Sequence, residues 1–196
     1  MLSAGVASDF NGDGEKDLIL VGQWMSPKFL KNKGGKFTDV TSQIIPEGLK
    51  GLWQSIIPFD INGDGKMDYL LGNWGQNTKF RASAKYPLKM YLADFDDNGK
   101  TESIVAYEKD EKYYPINGLD ELAAQLPFLK KKFPEYKGFA GKSIEEIFSK
   151  EQLEKAQIME VEELSSGYLL NTGGKFIFKP FKASLQMAPI THFIKA

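Results

Sequence analysis

The chain has 196 residues, 42% of them apolar, with a formal net charge of −1, one histidine and no cysteine. That length suits one or two domains with a real core. The near-neutral charge argues against nucleic acid or an anionic membrane as the main partner, and the absence of cysteine excludes a disulfide framework.

Arg81 is the only arginine, so bidentate recognition of phosphate is poorly supplied. No apolar run is long enough to span a bilayer. The opening "MLSAGVASDF" lacks the basic and then apolar design of a signal peptide.

A short strand-like run leads into "DFNGDGEKD", Asp9 to Asp17, and "LILVG" follows as a second strand. Next comes "FLKNKGGKF", in which Gly34-Gly35 reads as a tight hairpin turn. The order then repeats: "SIIPF", "DINGDGKMD" from Asp60 to Asp68, "YLLGN"; and again "LKMYLA", "DFDDNGKTE" from Asp94 to Glu102, "SIVAY". The unit is strand, acidic loop, strand. Trp24 and Trp74 follow the first two loops in similar contexts, "VGQW" and "LGNW".

From about Asn117 to Glu163 the pattern turns helical, with Leu122, Leu126, Leu129 and Phe133 at helical spacing and Pro127 placed to break the first segment. Ser143 with Glu146, and Ser149 with Gln152, have the form of capping boxes. The stretch reads as a helical insertion in the third unit, between two strands of one sheet. "LLNTGGKF" then echoes the first hairpin, with its turn at Gly173-Gly174, and "LQMAPITHFIKA" echoes the run before Asp94. The expected fold is mainly β, with about three repeat units over residues 1–196, and the whole reads as a piece of a longer repeat array.

Each acidic loop is described by nine positions. Positions 1, 3 and 5 are Asp9, Asn11 and Asp13, then Asp60, Asn62 and Asp64, then Asp94, Asp96 and Asn98. Position 6 is always glycine, and position 9 is Asp17, Asp68 or Glu102. Alternate oxygen-bearing side chains in a curled loop converge on one point. The backbone carbonyls of Glu15, Lys66 and Lys100 at position 7 would add another oxygen.

Hard oxygen ligands with irregular geometry suit Ca²⁺, at up to three ions in this chain, better than Mg²⁺ or zinc. An EF-hand needs a bidentate acid at position 12, where this chain has Leu20, Leu71 and Val105. The competing explanation, that Asn-Gly and Asp-Gly simply make good turns, would suit one loop better than three in the same register.

"DFNGDGEKDLIL", "DINGDGKMDYLLGN" and "DFDDNGKTESIV" resemble the FG-GAP/VCBS repeats of integrin-like β-propellers. "GLWQSI", "GNWGQN" and the insertion with "LPFLKKKF" look like a bacterial branch associated with ASPIC/UnbV domains and similar to cartilage acidic protein. The resemblance implies a partial β-propeller whose four-stranded blades carry calcium loops. It implies a secreted, cell-surface or periplasmic setting and a protein or glycan ligand. It also implies either further blades or self-association to cover the open sheet edges.

Catalytic constellations are missing: there is no nucleophile elbow, phosphate loop or paired-histidine motif, so no catalytic residue is assigned and the chain reads as non-enzymatic. The rival readings are a polysaccharide-active enzyme with its catalytic residues elsewhere, and a pure scaffold. His192 reads as lying on an apolar strand, Trp24, Trp53 and Trp74 mainly as packing residues, and Lys130 to Lys132 as a solvated face.

Overall fold

A computed structural model describes residues 1–194, which divide into two compact units: Met1–Lys79 with 161–194, and Phe80–Glu160. Strands β1 (Leu2–Ser8), β2 (Asp17–Met25), β3 (Lys28–Lys33) and β4 (Lys36–Asp39) form an antiparallel meander, with α1 (Thr41–Ile44) and β5 (Gly51–Leu52) following; β5 pairs with β2. The second sheet begins with β6 (Ser55–Phe59) and β7 (Asp68–Gly72).

The chain then leaves for the other unit: β8 (Leu88–Ala93), β9 (Glu102–Lys109) and β10 (Lys112–Pro115), then α2 (Leu119–Gln125), α3 (Phe128–Lys132), α4 (Tyr136–Phe139), α5 (Ile144–Ile147) and α6 (Lys150–Lys155), and β11 (Gln157–Val161). It returns with β12 (Gly167–Asn171) and β13 (Phe176–Pro180).

The return corrects the repeat order read from the sequence. β12 pairs with β7, Leu169 opposite Tyr69, so the second sheet runs β13-β12-β7-β6. The Gly173-Gly174 hairpin therefore belongs to the second acidic loop and not to the third. Everything from Phe80 to Glu160 is interpolated between two neighbouring strands of that sheet, and it has its own sheet in the order β10-β9-β8-β11. The insertion is thus larger than 117–163 at its start, while its helices end at Lys155 and Gln157–Val161 is a strand. An interpolation of this kind leaves no mark in periodicity, because register pairs residues about a hundred positions apart.

In the first unit the two sheets stack face to face. Val6, Ile19, Val21 and Phe29 of the first meet Tyr69, Leu71, Leu169 and Phe176 of the second, with Phe29 5.1 Å from Phe176 and 6.0 Å from Tyr69, centroid to centroid. Such ring pairs add about 0.5–1.5 kcal/mol each to the burial of apolar area. Trp53 is wholly buried against Phe178, while Trp24 and Trp74 are half-buried.

In the second unit, alternate residues Tyr91, Ala93, Ile104 and Ala106 face the helices and pack on Leu122, Leu126, Leu129, Ile144 and Ile147. Pro127 separates α2 from α3, as its missing N–H requires, and the glutamate and glutamine of both expected capping boxes bond back to Ser143 N and Ser149 N.

The lysine run is exposed, as expected of a solvated face, with Lys130 bound to the Asp120 carboxylate and Lys132 donating to Ile147 O at 2.7 Å at the end of α5. Two other expectations are corrected. The C-terminal echo forms no strand among the described residues: a 3₁₀ turn, Ala183–Leu185, precedes irregular chain whose Ile190 N bonds Asn73 O. Lys195 and Ala196 of that echo lie outside the described residues. His192 is exposed beside Thr191, not on an apolar strand.

Candidate metal centre

The first two acidic loops have nearly the same geometry. Asp9 Oδ1 accepts from Gly12 N at 2.7 Å and Asp13 N at 3.2 Å, and its Oδ2 from Gly14 N at 2.8 Å. Asp60 does the same with Gly63 N (2.8 Å), Asp64 N (3.2 Å) and Gly65 N (2.9 Å). Asn11 and Asp13, like Asn62 and Asp64, each accept from the N–H two residues on.

The loop thus curls around its first aspartate, and left-handed glycines make the curl possible, Gly14 at φ +89° and Gly65 at φ +80°. The N–H of position 5 links the first three alternate positions, Asp13 N donating to Asp9 and Asn11, and Asp64 N to Asp60 and Asn62. The Asp13 and Asp64 carboxyls are held below the ordinary carboxylate range, first by the N–H of Glu15 and of Lys66. Lys31 stands 3.1 Å from Asp13, and Lys66 3.5 Å from Asp64. The side chain of Glu15 turns to the hairpin and accepts from Gly34 N at 3.0 Å.

Position 9 behaves differently. Asp17 and Asp68 are buried, and each closes the loop by accepting from position 2: Phe10 N at 3.3 Å and Ile61 N at 2.9 Å. The other oxygen of each accepts from the next hairpin, Asn32 N at 2.8 Å and Asn171 N at 2.7 Å.

Those two asparagines were not singled out by the sequence reading, although each stands two residues before its Gly-Gly turn. Asn32 Oδ1 caps Gly35 N and its amide donates to Lys16 O; Asn171 Oδ1 caps Gly173 N and Gly174 N, and its amide donates to Met67 O and Phe10 O. A shared offset before a shared turn was the available signal. A cleft of about 450 Å³ lies between the two loops, lined by Asp9, Asn11, Lys66, Asn171 and Gly174 among others.

The third loop keeps most of this frame. Asp94 accepts from Asn98 N at 2.9 Å and Gly99 N at 2.7 Å, Asn98 from Lys100 N at 2.8 Å, and Glu102 from Phe95 N at 3.0 Å. Here carboxylate oxygens of Asp94, Asp96 and Glu102 all lie within 4.8 Å of one another, the only such acidic cluster among the described residues. Asp96 Oδ1 is buried and has no hydrogen-bond donor.

Burying an unpartnered carboxylate oxygen among two other carboxylates is costly without a cation, so the donor set fits a hard divalent ion. Gln152 of α6, read from the sequence only as the capping partner of Ser149, donates to Phe95 O at 2.6 Å and ties this loop to the helices.

The family model for the FG-GAP-like repeat matches residues 9–71. That span runs from the first aspartate of loop one through loop two into β7, so the match and the duplicated geometry describe the same repeat. No curated protein and no solved structure matches the chain. Among the described residues, no helix is long and apolar enough to cross a membrane.

Proposed function

We propose that this chain is a calcium-binding repeat protein of β-propeller type, in which ions set the geometry of the acidic loops and the sheets present a binding surface to a protein or glycan. The observation that carries this reading is the carboxylate cluster of Asp94, Asp96 and Glu102 with its donor-less buried oxygen. Three carboxylates, Asn98 Oδ1 and the Lys100 carbonyl form an all-oxygen set of the kind Ca²⁺ accepts. In loops one and two the corresponding set is Asp9, Asn11, Asp13 and the Glu15 carbonyl, and Asp60, Asn62, Asp64 and the Lys66 carbonyl, with Asp17 and Asp68 behind them.

Sites in extracellular modules bind with dissociation constants of about 10⁻⁴–10⁻³ M. Such sites fill outside the cell or in the periplasm, and that is the compartment proposed. The proposed role is binding, not catalysis.

The test is thermal unfolding in calcium, in magnesium and in excess chelator. A ligand that binds only the native state stabilises it by about 2.7 kcal/mol at a hundredfold excess over Kd. Calcium, and not magnesium, is expected to raise the midpoint. Asp96→Asn should reverse sign between conditions: neutral or stabilising in chelator, where a crowded charge has been removed, and destabilising in calcium, where a ligand has been lost. No calcium-specific rise in the wild type would overturn the reading.

A further inference from the structure

The two stacked sheets of the first unit are repeats, yet they meet through opposite faces. Superposing the acidic loops makes Leu18 equivalent to Tyr69, Leu20 to Leu71 and Ile19 to Leu70; superposing the Gly-Gly turns makes Phe29 equivalent to Tyr168, Leu30 to Leu169 and Phe37 to Phe176. The first sheet uses its Ile19 and Phe29 face, and the second its Tyr69, Leu71, Leu169 and Phe176 face.

Each outward face is therefore the repeat of the face its neighbour has docked. On the first sheet Leu18, Leu20 and Leu30 are half-buried and Phe37 is 50% exposed. They are the counterparts, one for one, of Tyr69, Leu71, Leu169 and Phe176. On the second sheet Ile57, Leu70 and Tyr168 are half-buried and Phe59 and Ile177 are 42% and 45% exposed. Through the pairings of Val6 with Ile19 and of Ile57 with Leu70, the first three of these stand for Val6, Ile19 and Phe29.

We infer that the occupant of these faces is a second copy of this chain, docked head to tail: the outward face of the second sheet in one copy lies on the outward face of the first sheet in the next. The contact continues the interface already formed inside the chain, with Tyr168 in the place of Phe29 and Leu18 and Phe37 in the places of Tyr69 and Phe176. Two different faces meet, so the interface is heterologous. It grows by addition until a ring closes or a filament forms. The inference does not depend on the cation.

Sedimentation velocity over a concentration series decides it, with Phe37→Glu and Ile177→Glu as exposed substitutions that leave the core alone. The wild type is expected to form concentration-dependent oligomers larger than a dimer. Each variant alone should be monomeric, since each has lost one of the two faces. An equimolar mixture should give a one-to-one dimer and stop there, because one interface can still form.

Circular dichroism confirms that both variants keep the wild-type fold; if one does not, Phe59→Lys takes the place of Ile177→Glu, and Leu18→Lys that of Phe37→Glu. A monomeric wild type, a mixture that stays monomeric, or a variant that still self-associates would overturn the inference. The first of these is the outcome expected if other blades of a longer chain are the natural occupants.

Discussion

The acidic loops of the first unit and the loop of the second share a sequence pattern but divide its work differently. In the first two, the position 9 aspartate is short and buried, and its two oxygens are engaged by backbone N–H groups from its own loop and from the next hairpin. In the third, position 9 is Glu102, which also accepts from its own loop at Phe95 N but whose longer side chain brings the carboxylate in among Asp94 and Asp96. Among the described residues no asparagine hairpin faces it; the neighbouring anchor is Gln152 from a helix. The same nine-residue pattern thus serves chiefly as a fold-closing joint in one place and as a carboxylate cluster in another. The difference lies in what the surrounding chain donates.

The largest effect that would break this comparison is expected from Asp68→Ala. It leaves Ile61 N and Asn171 N without an acceptor, and an unsatisfied buried donor costs about 1–3 kcal/mol. Tryptophan emission is a suitable probe, because Trp24, Trp53 and Trp74 all lie in the first unit. The loss should be nearly as large in chelator as in calcium. A loss confined to calcium would mean that Asp68 acts as a ligand and not as a joint.

Sequence carried the loops, their curled geometry, the flanking strands and the helical character of the insertion, because all of these are local. Position 6 glycines, capping residues and alternating apolar runs each act within a few residues. Strand partnership is not local. The pairing of Tyr69 with Leu169 spans the whole second unit, and nothing near either residue announces it. The same holds for the site: Asp94, Asp96 and Glu102 were legible from spacing, whereas the donor-less state of Asp96 and the bracing by Asn171 and Gln152 depend on what tertiary packing brings alongside.

A smaller effect sharpens the view of the joint. Tyr69 donates to Ser8 Oγ at 2.8 Å, and burial, helped by the carboxylates of Asp17, Asp9 and Asp68 and opposed by the Ser8 bond, pushes its hydroxyl up to about 12. The folded state favours the neutral phenol, so its contribution is complete below the ordinary value of 10.0 and is lost as pH rises through about 12. Tyr69→Phe should cost about 1 kcal/mol near neutrality through the lost hydrogen bond. Between pH 10 and 12 its stability should fall less steeply than that of the wild type. Parallel curves for the two proteins would mean that the Tyr69 hydroxyl is not held in this environment.

The smallest effect concerns the lysines. In loop one the cation beside Asp13 reaches over from β3 as Lys31, while in loop two Lys66 beside Asp64 belongs to the loop itself. An exposed ion pair contributes little to stability, so Lys31→Ala should barely move the melting curve in chelator. An ammonium 3.1 Å from a proposed ligand nevertheless competes with a divalent ion for the same oxygen. Calcium titration followed by tryptophan emission should therefore show a modest gain in affinity for Lys31→Ala. Asp94→Ala in the second unit should leave that signal unchanged. Weaker calcium binding in Lys31→Ala would show instead that the lysine holds the loop in its binding shape, and would give the two loops different means of reaching the same geometry.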